Sequence, residues 1–153
     1  FTTKPTPFGH AIAASDESQQ IGFIGRYGLP SDRDLAWIRE LVGNRKLLFL
    51  GDLDPADLMI FAWLRSQLSD TRVNFLGISD ALLKRVGVRP PKQHTIALTP
   101  TELAAREVLP SIVPDLPKLI GPSCVALLAS GRKLELEAIL EALRKSPEVL
   151  TGP

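Results

Sequence analysis

In Lys46-Leu-Leu-Phe-Leu-Gly-Asp52-Leu-Asp54-Pro55, an apolar run fit for a buried strand ends in two carboxylates one residue apart, and a proline follows. Side chains alternate along a strand, so Asp52 and Asp54 point the same way, roughly 6–7 Å apart. In an α/β sheet, ligands bind at the carboxyl ends of strands. Two close carboxylates repel each other unless they are protonated or neutralised by a cation. The economical reading is a divalent-metal site for Mg2+ or Mn2+, ions that take oxygen ligands. The competing reading makes one of the two aspartates the cap of the helix that Pro55 opens.

Outward from this stretch, strand and helix signals alternate. Residues 1–20 are rich in Pro, Thr, Ser and Gln and read as irregular. Ile21-Gly-Phe-Ile-Gly25 reads as a short buried strand and Gly25-Arg-Tyr-Gly28-Leu-Pro30 as a loop. Ser31 can cap a helix with Asp32 and Asp34 in its first turn, where the helix dipole favours them. Leu35, Ile38, Leu41 and Val42 recur at helical spacing, and Gly43-Asn44 ends that helix. A second helix is expected from Pro55 to about Leu68, a strand over Arg72–Leu76, a helix over Asp80–Val86, a corner at Pro90-Pro91 and a fourth strand over His94–Leu98. Beyond Thr99 the pattern is helical: Pro100–Val108, Pro122–Ser130 and Arg132–Arg144, the last with Leu136, Ile139, Leu140 and Leu143 in one stripe. This order predicts an α/β domain over residues 21–145, its C-terminal helices included. Its centre is a mostly parallel sheet of about four strands flanked by helices.

With 153 residues, 44% hydrophobic and 23% charged, the chain has the composition of one globular domain. A net charge of +1 gives no global pull toward nucleic acid, so any such contact needs a local patch. The single cysteine, Cys124, excludes an intramolecular disulfide and reads as a buried structural thiol. It suits a reducing cytosol, and a cytoplasmic location is the expectation. No apolar run approaches the ~20 residues of a membrane span. The chain starts at Phe1 rather than Met, so a fragment of a longer protein is expected.

Other residues carry weaker signals. Gly25 and Gly28 would let backbone N–H groups approach a phosphate. Arg26 either contacts that phosphate or is solvated. Asp57 either adds a third carboxylate or stabilises the first helical turn as a dipole partner, and the second role is the simpler one. Tyr27 reads as packing or surface. Lys84, Arg85, Arg89 and Lys92 could follow a nucleic-acid backbone, but a solvated face explains them as well. His10 and His94 are too isolated for a metal or triad assignment.

Taken in order, Gly25-Arg-Tyr-Gly28, Trp37-Ile38, Gly51-Asp52-Leu-Asp54-Pro55, Phe75-Leu76-Gly77, Leu98-Thr99-Pro100 and Gly131-Arg-Lys133-Leu-Glu135-Leu-Glu137-Ala138 resemble the TOPRIM domain of topoisomerase VI A subunits and the related meiotic break-forming transesterases. They also resemble the TOPRIM-containing nuclease subunit of Wadjet-type plasmid defence. The resemblance spans roughly residues 20–140, and the G-D-x-D-P element is its most specific part. It implies a Rossmann-like TOPRIM fold and a Mg2+ site in which Asp52 and Asp54 match the metal aspartates and Gly25 and Gly28 the loop glycines. Glu135 matches a late glutamate, and Lys133 a lysine of the topoisomerase branch. The chain departs from the pattern in three ways. The family's further acidic ligand would fall at or before Phe1, and Glu17 is no convincing substitute. Arg26 and Asp57 stand where lysine and glycine are usual. The winged-helix domain that carries the catalytic tyrosine is absent, so Tyr27 does not inherit that role.

The resemblance implies a Mg-binding domain of a topoisomerase- or nuclease-type protein that positions a DNA phosphodiester. Its expected partners are DNA and the other domains or subunits of a DNA-processing complex, with a homodimer among the assemblies. No residue of the isolated domain is assigned a catalytic role. One alternative is a degenerate, non-catalytic Rossmann-like interaction module. Another is an aspartate-nucleophile phosphohydrolase, whose opening motif is also a strand ending in D-x-D.

Overall fold

Helix capping behaves as the sequence dictates. In a computed structural model that describes residues 1–6, 9, 22–68, 72–88 and 94–145, and side chains up to residue 141, Ser31 caps helix α1 (Asp32–Val42). Its hydroxyl accepts from the N–H of Asp34, and the Asp34 carboxylate reaches back to the Ser31 N–H. Leu35, Ile38 and Val42 of α1 are buried, while Leu41, expected on the same face, is exposed. Strand β1 (Leu47–Phe49) leads into helix α2 (Pro55–Leu68), which starts on its proline and buries Leu58, Ile60, Phe61 and Leu64. Strand β2 (Val73–Phe75) follows and pairs in parallel with β1, Leu47 opposite Val73 and Phe49 opposite Phe75. This is the expected βαβ arrangement. Its buried face is built from Phe49, Phe61 and Phe75, with ring centroids 5.2–6.2 Å apart, the packing geometry aromatic rings favour. Leu48, on the opposite face of β1, is half exposed.

The remaining elements are helix α3 (Asp80–Arg85), strand β3 (Thr95–Ala97), helices α4 (Pro100–Ile112), α5 (Leu116–Ile120) and α6 (Pro122–Ala129), strand β4 (Arg132–Leu134) and helix α7 (Leu136–Lys145). Here the expectation of one mostly parallel four-stranded sheet is corrected. Among the described residues there are two two-stranded sheets, and β3 pairs antiparallel with β4 instead of extending the β1–β2 pair. Arg132–Leu134, read as the start of a helix, is strand. Gly131 adopts φ +75°, which terminates the helical path after α6. Leu134, 1% exposed, then bonds Leu53 in both directions, at 2.9 and 3.2 Å. A tertiary ladder overrides the local helical spacing.

The expected strand over Ile21–Gly25 is corrected as well. Ile21 lies outside the described residues, Phe23 and Ile24 are not in a strand, and Gly25 makes only an isolated parallel bridge with Thr2. Two glycines in five residues leave little side chain to hold a strand. Thr2 itself bridges Gly25 on one side and Leu50 on the other, so Phe1–Thr3 runs alongside β1. The Pro90-Pro91 corner lies outside the described residues.

Candidate metal centre

Three features fix the chain between β1 and α2. β1 delivers it, the Leu53–Leu134 bridge pins it, and α2 receives it. Leu53 points into the core at 0% exposure, so its neighbours Asp52 and Asp54 point the other way together. Both are nonetheless buried, at 0% and 5%, and Asp57 joins them at 3%. One carboxylate oxygen from each of the three lies within 4.8 Å of the others.

Each acid also holds local structure. Asp54 Oδ1 accepts the N–H of Asp57 at 2.7 Å, so Asp54 does cap α2, as the competing reading required. Asp57 does more than complement the dipole of α2. Its Oδ2 accepts the N–H of Asp52 at 2.8 Å and its Oδ1 accepts the hydroxyl of Thr3 at 2.7 Å. Asp52 Oδ1 accepts the N–H of Leu136, the first residue of α7, at 2.9 Å. That leaves Asp52 Oδ2, a buried oxygen to which no hydrogen bond is made among the described residues. The ammonium of Lys4 lies 2.7 Å from it, at ion-pair distance.

Burial pushes the Asp54 carboxyl above its ordinary value, and the charge of Asp52 adds to the effect. Asp57 is pushed up to about 6, by burial first and by Asp54 next. Burial disfavours the Lys4 ammonium, but the Asp52 contact and the charges of Asp57 and Asp54 outweigh it and raise its pKa. These are the marks of an acidic cluster short of positive charge.

The other sequence candidates are spread around this centre. Lys133 pairs with Glu102 at 2.7 Å and stands 3.9 Å from Glu135, and its field reaches Asp54 without a direct contact. Glu135 immediately precedes the Leu136 N–H that binds Asp52. Gly25 lies beside Thr2, and Gly28 adopts φ +66°, a conformation suited to glycine. The Arg26 guanidinium is engaged by Asp34 at 3.0 Å and by the Tyr27 carbonyl at 2.7 Å, at the start of α1 rather than at the cluster. Tyr27 is 70% exposed. Cys124 is buried, and desolvation pushes its thiol up, which suits a structural role. Lys84 and Arg85 sit in the last turn of α3, where cations suit the dipole. His10, Glu17, Arg89 and Lys92 lie outside the described residues.

Thr3 and Lys4 are the site residues that sequence reasoning missed. Phe1-Thr2-Thr3 has β-forming residues, but three are too few to register as a strand.

An all-carboxylate donor set suits a hard divalent cation. The buried Asp52 Oδ2, which already draws the Lys4 ammonium, supplies a further oxygen for a cation. The residues therefore fit such an ion, while its identity is not specified by them. Among the described residues no helix is long and apolar enough to cross a membrane. No family model, curated protein or solved structure matches the chain.

Proposed function

We propose that this chain is a divalent-cation-binding α/β domain of TOPRIM type, working within a larger DNA-processing protein. Asp52 and Asp54, with Asp57 beside them, hold Mg2+ or Mn2+. When bound, the ion would neutralise phosphate charge and help position a DNA phosphodiester. The observation that carries this reading is the convergence of three buried carboxylates on one point, with a cationic side chain already drawn to Asp52 Oδ2. Asp52 and Asp54 keep their orientation through the helix N-termini they cap, so the donor geometry is preorganised.

The Lys4 contact also favours a second reading, a non-catalytic interaction module in which Lys4 is the permanent counter-ion of the cluster. The phosphohydrolase alternative has less support. Asp52 is fully buried, with one oxygen on Leu136 N–H and the other against Lys4, so a phosphate ester, far bulkier than a metal ion, would have to reach Oδ2 past Lys4.

The test is fluorescence anisotropy of a labelled DNA duplex with and without Mg2+. The wild-type chain is compared with an Asp52→Asn/Asp54→Asn variant, which removes charge but keeps oxygen acceptors for the helix caps. Mg2+-dependent DNA binding that the variant loses is expected. Binding indifferent to both Mg2+ and the variant, or no binding at all, rejects the DNA-processing role.

A further inference from the structure

Lys4 follows a stretch of backbone held on both sides by hydrogen bonds. Thr2 N–H donates to Ile24 O at 2.9 Å, Arg26 N–H to Thr2 O at 3.0 Å and Leu50 N–H to Phe1 O at 2.8 Å. The Thr3 hydroxyl is tied to Asp57, inside the cluster. The next side chain, Lys4, lays its ammonium on Asp52 Oδ2. Asp52 Oδ1 is already committed to Leu136, so Oδ2 is where a metal ion would gain a bond to Asp52. A monovalent and a divalent cation sharing that oxygen would repel each other strongly in so buried a place.

We propose that Lys4 sets the affinity of this centre: its ammonium is a built-in occupant of the cation position, and a divalent ion binds by displacing it. This rests on reading the cluster as a cation site. Displacement needs no change in the fold. The Lys4 side chain is 26% exposed, and its flexible four-carbon stem can carry the ammonium into water while the backbone stays laddered.

Mn2+ binding, followed by the loss of the free-ion electron paramagnetic resonance signal, tests this on the wild-type chain and on Lys4→Met, which keeps the stem and removes the charge. Lys4→Met is expected to bind Mn2+ at least roughly tenfold more tightly, the effect of ~1.4 kcal/mol. Wild-type binding with equal or weaker binding by Lys4→Met overturns the proposal and leaves the cation centre standing. Binding by Lys4→Met alone overturns displacement in the wild-type chain and makes Lys4 the permanent counter-ion of the second reading. Binding by neither folded protein rejects both. A second measurement needs no variant: the rate of Lys4 acylation, read by mass spectrometry against the exposed Lys118, with and without saturating Mn2+. Faster acylation of Lys4 in Mn2+ is expected. An unchanged rate while Mn2+ is bound overturns the displacement.

Discussion

Asp52 Oδ1 accepts the backbone N–H of Leu136 at 2.9 Å, joining two residues 84 positions apart in the chain. The first carboxylate after β1 is thus also the N-terminal acceptor for α7, and site and fold share one side chain. Asp52→Ala leaves a buried N–H and the Lys4 ammonium without their acceptor, and should cost about 2–3 kcal/mol. Asp52→Asn keeps an oxygen for Leu136 and should cost less. Urea unfolding of the two variants checks this, and equal losses would show that the helix contact contributes nothing.

The cluster should make stability depend on pH in an unusual direction. The unfolded chain releases the Asp57 proton near 3.8, while the folded protein keeps it to about 6. Between these values the folded state binds more protons, so stability falls as pH rises through the window. The stabilisation is fully present below about 3.8 and lost above about 6. The shift alone corresponds to a loss of about 3 kcal/mol. Asp57→Asn should flatten this part of a stability-versus-pH curve measured by chemical denaturation. Saturating Mn2+ should recover much of the loss at pH 7.5 and little at pH 5, because metal and protons compete for the same oxygens.

Much of this arrangement was legible in the sequence. Ser31 announced α1 as its cap, and that cap forms as the residue type requires. Pro55 announced α2, and Asp-x-Asp announced paired carboxylates at a strand end. What could not be read was set by distant partners. Arg132–Leu134 is strand because Thr95–Ala97 and Leu53 offer it a ladder, and no local pattern encodes that pairing. Lys4 reaches Asp52 because Thr2 is held between Gly25 and Leu50, contacts 23 to 48 residues away in sequence. Asp57 looked like an ordinary first-turn acid until its neighbours Thr3 and the Asp52 N–H were in place.

The backbone beneath the cluster is tightly fitted. A Cβ on Gly77 would lie 2.4 Å from the carbonyl oxygen of Gly51, the residue just before Asp52. The Gly51 carbonyl also accepts the N–H of Ile78 at 3.1 Å. Gly77→Ala must therefore push β1 and β2 apart at their carboxyl ends, and should destabilise the protein by about 1–3 kcal/mol. A thermal melt reads the loss, and an unchanged melting temperature would show that this close approach is not needed.

Away from the site, Arg65 of α2 holds Asp115 with two parallel bonds of 2.8 and 2.9 Å, and its guanidinium lies 5.3 Å from the centre of the Phe61 ring. Lysine supplies one point charge in place of the planar fork. Asp115 is 44% exposed, so water screens the pair, and Arg65→Lys should cost about 1 kcal/mol or less. Urea unfolding checks it. A loss well above that would assign the contact a larger role in anchoring the start of α5.

The cation centre itself is tested most directly by calorimetric titration of Mn2+ into the folded wild-type chain and into Asp52→Asn/Asp54→Asn. Saturable binding by the wild type, abolished or strongly weakened in a variant that still melts cooperatively, is the expected result. No heat of binding in the wild type, or equal binding by the folded variant, contradicts a metal site at Asp52 and Asp54.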